Sequence, residues 1–180
     1  MHTPATTAHA MRSPERWLAV LRIVVGLWFL KGVVTKLSIT LAWGVLPIPT
    51  ASERWIHTLP ILVGKYAAGN PVGVFKAFLE NTVIAHGQVF AQLTAFGEAV
   101  VGLGLTFGFL TALASVLGLW LVLNYGLATH WIGFSQQGFH VLLGACMIAF
   151  LMARAGRYWG IDGWLRARRP SSRLARLPLG

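Results

Sequence analysis

Long runs of apolar residues, interrupted by few charges, dominate the pattern along the chain. The longest run, residues 88–129, holds one charged side chain, Glu98, and no Asp, Glu, Lys or Arg follows until Arg154. Because about 20 apolar residues suffice to cross a bilayer as a helix, a run of this length predicts two spans that turn near Gly108. Together with the runs before and after it, the pattern predicts four transmembrane helices, at about 17–37, 89–107, 109–129 and 131–153.

Residues 38–88, between the first and second spans, have a different character. Four prolines, several glycines and charges of both signs interrupt this segment, as in loops and turns. Asn70-Pro71 is typical of a helix start, with Asn70 as the N-cap and Pro71 in the first turn. We therefore predict a long outer loop carrying a short amphipathic helix, whose apolar face lies on the membrane surface or covers the bundle. That face comprises Val74, Phe75, Phe78, Leu79 and Val83.

Small and polar residues recur at helical spacing inside the predicted spans. Residues three and four apart share one face of a helix, and small residues there let a second helix approach closely in a membrane. The second-span face therefore places Glu98 in a helix interface rather than in lipid. The faces are Arg22, Gly26, Phe29, Val33 and Lys36 in the first span, Ala91, Ala95, Glu98, Gly102 and Thr106 in the second, and Thr111, Ser115 and Gly118 in the third.

Composition and charge distribution support a membrane protein. Of the 180 residues, 56% are hydrophobic and 11% are charged, and the mean hydropathy is +0.64, values outside the usual range of soluble domains. The formal net charge is +10, but the basic residues gather before the first span and after the last, as in cytoplasmic segments, so we predict no nucleic-acid binding. The prediction is a flexible cytoplasmic leader (1–16), a four-helix membrane domain (17–153) with its loop 38–88 outside, and a basic cytoplasmic tail (154–180) that contacts anionic lipid.

Glu98 requires a functional or structural explanation, because a charge at such depth costs a few kcal/mol. At a rise of about 1.5 Å per residue, Glu98 lies near the middle of its span. Each of the other three spans has one polar side chain outward of its own centre. These are Lys31 in the first span, Asn124 in the third and His140 in the fourth. Polar groups in hydrocarbon need partners, so we predict that Glu98 faces inward and meets Lys31, Asn124, His140 or a subset of them.

Two further basic residues of the first span, Arg22 and Lys36, also need an interpretation. Arg22, about 8 Å nearer the cytoplasm, is the alternative partner of Glu98, and Lys36 is expected to reach the outer interface. The polar groups are interpreted either as a structural clasp that holds four helices in register or as a proton-active or ligand-binding site. A third interpretation is that they extend separately to the interfaces and never meet.

Sequence motifs for a bound cofactor are missing. The single cysteine, Cys146, lies inside an apolar run, so no CxxC motif exists. Paired histidines at membrane depth for haem, a glycine-rich nucleotide loop and an HExxH motif are also missing from the sequence. The pattern therefore predicts no metal and no intrinsic cofactor, and any redox activity must use a quinone from the lipid or a centre held by a partner.

Four features together resemble the DoxX-like family, and within it the DoxD-type small subunit of thiosulfate:quinone oxidoreductase. The resemblance covers about residues 17–165. It departs from the family pattern at the turn after the second helix, Gly108–Thr111, which is uncharged where the family often has an arginine. The features are Arg22-Ile-x-x-Gly26-x-x-Phe29-x-x-Gly32-x-x-x-Lys36, the long outer segment ending in a short helix, Gly97-Glu98-x-x-x-Gly102-x-Gly104-x-x-x-Gly108, and Ala155-Gly156-Arg157-x-x-Gly160-x-Asp162.

The resemblance implies a four-helix bundle in the cytoplasmic membrane of a bacterium or archaeon, with Lys36 and Glu98 as signature positions. It implies a membrane subunit of a quinone-linked oxidoreductase, most concretely one for thiosulfate oxidation, whose partners are lipid, another membrane subunit or a homo-oligomer, quinone and a small sulfur anion. Glu98 is then catalytic and exchanges the quinol proton. The candidate substrate- or quinone-binding residues are Lys31, Lys36, Arg22, Asn124 and His140.

Two other functions fit the same residues. The chain is alternatively a non-catalytic accessory or assembly subunit of a larger membrane complex, in which case mutation of Glu98 lowers assembly but not turnover. The second alternative is a small anion or proton carrier, although four spans are few for alternating access unless the protein oligomerises. Whether the chain itself is an enzyme is left open by its sequence.

Overall fold

A computed structural model describes residues 13–43 and 45–168 as a helical bundle with one hairpin. Within these residues four helices are long and apolar enough to cross a membrane, which confirms the prediction of an all-α membrane protein. In chain order the elements are α1 (Pro14–Lys36), β1 (Leu37–Ala42), β2 (Leu46–Ala51), α2 (Glu53–Ala68), α3 (Gly73–Phe78), a π-helical turn (Leu79–Ile84), α4 (Gly87–Phe107), α5 (Thr111–Thr129), α6 (Phe134–Met152), a 3-10 turn (Ala155–Arg157) and α7 (Ile161–Arg168).

The four long helices are α1, α4, α5 and α6, and α1 begins on the side of the bundle where α6 ends. We call this the terminal side and the opposite one the hairpin side. That the terminal side is cytoplasmic stays a prediction. Most of the predicted leader and the end of the predicted tail, residues 1–12 and 169–180, lie outside the described residues.

The segment between α1 and α4 holds more regular structure than the predicted loop. Strands β1 and β2 form an antiparallel hairpin in which Leu37 lies opposite Ala51. The hairpin is followed by α2, a helix of 16 residues whose N-cap Ser52 accepts a hydrogen bond from the Trp55 backbone N–H. Prolines inside β2 and α2 indicated a loop in the sequence, but the structure accommodates them at an outer strand edge and within a helix.

The predicted short helix is present, although it starts differently. Helix α3 begins at Gly73 after Val72 as N-cap, so Asn70 is not the cap; its side chain instead accepts a hydrogen bond from the Val72 backbone N–H at 2.9 Å. The helix continues into the π-helical turn. Most of its predicted apolar face points toward α2 and α4. Val74 is the exception at 86% exposed, and Phe78, which lines a cavity, is 37% exposed.

Close contact between α1 and α4 forms the centre of the bundle. A Cβ atom added at Gly26 would lie 2.5 Å from the Thr106 backbone nitrogen, and one added at Gly102 would lie 3.0 Å from the Leu30 nitrogen. Both glycines therefore allow the two backbones to approach. The predicted small-residue faces of α1 and α4 do face each other, and the predicted face of α5, with Thr111 and Ser115, is also buried.

Candidate functional site

Glu98 lies in the interface of α1, α4 and α5, with its side chain only 7% exposed. The Lys36 ammonium of α1 donates a hydrogen bond to Glu98 Oε1 at 2.5 Å, and the Tyr125 hydroxyl of α5 donates to the same oxygen at 2.8 Å. A Cβ added at Gly32 would lie 2.5 Å from Glu98 Oε2. Gly32 therefore leaves room for the carboxylate, while Lys36, one helical turn later, reaches it.

The Lys36 ammonium is held from a second side by Trp55 of α2. Its Nζ atom lies 4.5 Å from the centroid of the Trp55 ring, where the negative face of an aromatic ring attracts a cation. The indole N–H of Trp55 donates to Thr94 Oγ1 at 3.1 Å, which orients the ring toward α4. A charge with little contact to water thus has a carboxylate and an aromatic face as partners.

A cavity of about 730 Å³, the hairpin-side cavity, adjoins this ion pair. Lys36 and Tyr125 both line it, so the two groups bonded to Glu98 form part of its wall. Its size is that of a typical small-molecule site, and such sites are mostly apolar with a few placed polar groups. Most of the lining is apolar or aromatic and includes Trp55, Tyr66, Phe75, Phe78, Phe90 and Trp120.

The predicted partners of Glu98 are wrong. Lys31 is exposed, and its ammonium lies 5.0 Å from the Trp28 ring centroid, on a different face of α1 from Gly32 and Lys36. Asn124 Nδ2 donates to Trp120 O at 2.8 Å, and His140 Nδ1 lies 2.7 Å from Gln136 O, each within its own helix. Depth along a helix therefore did not identify the partners, because contact also depends on rotation about the helix axis.

Asn124 and His140 nevertheless line the hairpin-side cavity. Lys36 turns inward to Glu98 instead of reaching the outer interface, which corrects a second expectation.

Tyr125 was missed, although it lies three residues after Val122 and seven after Gly118, on the same helical face as Ser115. Extending that face by two turns would have found it, whereas Trp55 carries no such signal because it belongs to the segment read as a loop.

Arg22 belongs to a separate group on the terminal side, so its predicted role as alternative partner of Glu98 is also wrong. The side chain is completely buried. Nη1 donates to Leu105 O at 2.7 Å, and Nη2 donates to Trp159 O at 3.1 Å and to Tyr158 O at 3.4 Å. Arg22 thereby connects α1 to the end of α4 and to the segment after α6.

Asp162 completes this terminal-side group. Its Oδ1 and Oδ2 accept hydrogen bonds from the backbone N–H groups of Leu110 and Thr111, at 2.8 and 2.9 Å, and so cap the start of α5. Its own N–H donates to Gly108 O at 2.9 Å. The motif around Gly156 and Asp162 therefore holds the segment after α6 against the turn between α4 and α5. The uncharged turn contacts Asp162 through its backbone N–H and C=O groups.

Comparison with known proteins identifies the family. A family model described as "TQO small subunit DoxD" matches residues 17–177, nearly the whole chain. Comparison with curated proteins and with solved structures gives no match. The four apolar helices, the Lys36–Glu98 pair within them and the extent of this match lead to one conclusion: the chain belongs to the DoxD family, described as the small subunit of thiosulfate:quinone oxidoreductase.

Proposed function

We propose that this protein is the membrane subunit of a quinone-linked oxidoreductase and binds quinone in the hairpin-side cavity. The supporting observation is that a large, mostly apolar cavity ends at the bonded group of Lys36, Glu98 and Tyr125. A quinone has the matching chemistry, because an apolar ring and tail carry two carbonyl oxygens that need hydrogen-bond donors. Lys36 lines the cavity, and its ammonium has N–H donors beyond the one bonded to Glu98, whereas the single hydroxyl proton of Tyr125 is already donated to Glu98.

Proton transfer is the chemistry that the three bonded side chains can perform. Reduction of a quinone to a quinol takes up two electrons and two protons. Glu98 accepts hydrogen bonds from both Lys36 and Tyr125. After Lys36 delivers a proton to a quinone oxygen, the Glu98 carboxylate can take up a proton from water and pass it to the neutral amine, and a second such cycle supplies the second proton. In this proposal Glu98 is the proton-exchanging residue, Lys36 holds the quinone oxygen, Tyr125 orients the Glu98 carboxylate, and the electrons come from a redox centre of a partner subunit.

Thiosulfate is the most concrete electron donor for such a complex, on the basis of the family description. An anion does not enter an apolar cavity readily, because burying a charge without full compensation is costly, and the Lys36 charge is already paired with Glu98. We therefore assign thiosulfate oxidation to the partner subunit and quinone reduction to this chain. Lys31, which faces outward beside Trp28, has no part in the proposed quinone site.

Glu98→Gln tests the catalytic role. The amide oxygen still accepts a hydrogen bond from Tyr125, but the side chain no longer exchanges a proton. In membranes that carry the assembled complex we expect thiosulfate-dependent quinone reduction per complex to fall about 100-fold or more. The matched control is Glu80→Gln, which changes a carboxylate in an exposed pair with Lys76 and should leave turnover unchanged.

The result also separates catalysis from assembly. Fewer complexes with unchanged turnover per complex would support the accessory-subunit alternative and refute catalysis by Glu98.

The position of the quinone is tested by Leu62→Trp, which fills the cavity from α2. The control is Ile61→Trp, because Ile61 is exposed on the same helix. We expect Leu62→Trp alone to raise the KM for quinone, and equal KM values in both variants would exclude this cavity.

A further inference from the structure

The β1–β2 hairpin exposes two strand edges whose hydrogen-bonding directions are defined by its contacts. At its base the Ser52 N–H donates to Lys36 O at 2.8 Å, whereas the Ala51 N–H points away from β1 and donates to Gln92 Oε1 at 2.8 Å. Opposite residues in an antiparallel ladder alternate between bonding to each other and pointing outward. With the continuous register of this hairpin, Thr40 bonds to Ile48, and the residues on either side of Thr40 point outward.

The outer edge of β2 is closed to a further strand. The residues of β2 that point outward are Pro47, Pro49 and Ala51, by the same alternation. The two prolines have no N–H to offer, and the Ala51 N–H is already bonded to Gln92 of α4. An incoming strand would therefore find no free donor along this edge.

The outer edge of β1 is open. Ile39 and Leu41 direct their N–H and C=O groups away from β2, and among the described residues no third strand pairs with them. Their side chains are 75% and 62% exposed. The strand contains no charged residue or proline, although these are the usual protections of an edge strand. One edge of the hairpin is thus protected while the other is ready to pair.

We propose that two copies of this chain associate through the open β1 edge, antiparallel and around a two-fold axis at Thr40. This register places Ile39 of one copy opposite Leu41 of the other, and the symmetry repeats the pair, so every outward N–H and C=O of these residues is satisfied. Apolar side chains then face apolar ones, and the two Thr40 side chains meet on the other face. The uncharged strand carries nothing that opposes its own copy.

A second copy can hydrogen-bond the free backbone groups of the β1 edge, which lipid cannot do. Gln92, which binds the hairpin base, lies five residues inside the start of α4 at Gly87, or about 7.5 Å along the helix. The base of the open edge, at Leu37 opposite Ala51, therefore lies at a level that α4 occupies as a membrane span, where lipid cannot satisfy backbone groups. Ile39 and Leu41 follow about 7 and 13 Å further along the strand. Pairing two of these hairpins makes a four-stranded sheet, in which the β1 edge of each copy is no longer unpaired.

Disulfide cross-linking of the full chain in membranes tests the proposal. In a Cys146→Ala background, Thr40→Cys should give an oxidised dimer at twice the 19.6 kDa monomer mass, because the two Cβ atoms lie about 5 Å apart at the axis. Thr50→Cys is the matched control, since Thr50 lies beside Thr40 on β2 but is about 14 Å or more from its own copy, three strand spacings away. It should stay at the monomer mass.

A backbone variant tests the hydrogen bonds themselves. Ile39→Pro removes one outward N–H and leaves the bonds between β1 and β2, as Pro49 does directly opposite; it should abolish the Thr40→Cys dimer, whereas Ile39→Val should retain it. The proposal would be refuted if Thr40→Cys stayed monomeric or cross-linked only to a different chain. It would also be refuted if Thr50→Cys gave an equal amount of dimer, or if the Thr40→Cys dimer persisted with Ile39→Pro. If Ile39→Pro lowers the amount of folded protein, the comparison of Thr40→Cys with Thr50→Cys is sufficient to test the proposal.

Discussion

Removing one member of the Lys36–Glu98 pair is expected to destabilise the bundle nearly as much as removing both. The perturbations are Glu98→Gln, Lys36→Met and the double variant, which form a double-mutant cycle. Glu98→Gln leaves the Lys36 ammonium with the Trp55 ring and an amide oxygen. Lys36→Met leaves the carboxylate with the Tyr125 hydroxyl. The double variant buries no charge at this position.

The magnitude follows from the separation and the burial. At 2.5 Å, two unit charges attract by about 7 kcal/mol at an effective dielectric constant of 20, and desolvation of both groups offsets much of this. Breaking a buried pair by removing one partner typically costs about 3–5 kcal/mol. Replacing both partners is near neutral only when well-packed apolar residues take their place, and the double variant still buries an amide. We expect about 3 kcal/mol for each single variant, about 3–4 kcal/mol for the double, and hence a coupling energy of about 2–3 kcal/mol.

The assay is the free energy of unfolding, measured by SDS titration of the protein in mixed micelles with circular dichroism as the signal. Glu80→Gln and Lys76→Met form the control cycle, because their pair is exposed with its charged atoms 3.9 Å apart; its coupling should stay below about 0.5 kcal/mol. If the Glu98 and Lys36 variants add to within about 0.5 kcal/mol, the two side chains do not form a buried ion pair and the site as described is wrong.

Three further variants probe the rest of the bundle by the same unfolding measurement. Gly26→Ala forces a Cβ against the Thr106 backbone and should cost about 2–3 kcal/mol. The control Gly138→Ala, where no atom beyond the adjacent residues and the local helix backbone lies within 4 Å of the added Cβ, should be neutral or slightly stabilising. Arg22→Met leaves three carbonyl groups without their donor and should cost about 3 kcal/mol or more, with faster trypsin cleavage after α6; unchanged proteolysis would contradict its role in holding that segment. Asp162→Asn retains one acceptor for the two N–H groups that it caps and should cost about 1–2 kcal/mol.

The contrast between correct and wrong predictions has a common cause. The buried faces of α1 and α4 followed from the spacing of Gly26, Phe29, Ala95 and Gly102, because residues three and four apart must share a face whatever the helix packs against. That the two faces meet each other was decided by the structure. The partners of Glu98 did not follow from depth, because two residues at one level meet only if both helices are rotated toward each other. Lys31 and Lys36 differ by five residues, and only Lys36 lies on the face that Gly32 opens toward α4.

The segment between α1 and α4 was the least predictable part. Pro47, Pro49 and Pro60 indicate breaks in a local pattern, and the local pattern does not reveal that the two strand prolines point away from the ladder. That alternation is established by the pairing with β1 and by the bond from Ala51 to Gln92. The cavity is non-local in the same sense, because it is lined by α2, the π-helical turn, α4 and α5 together.

By itself, the sequence determined that this chain forms four apolar helices with an acid near the middle of the second, since the length and composition of each run specify a membrane span and a buried carboxylate demands a partner. It also carried the family motifs. The tertiary structure decided that the partners are Lys36 and Tyr125, that Arg22 and Asp162 serve the opposite end, and that aromatic side chains of a supposed loop enclose a cavity beside the acid. These features depend on the rotation and packing of whole helices, which no local pattern of residues encodes.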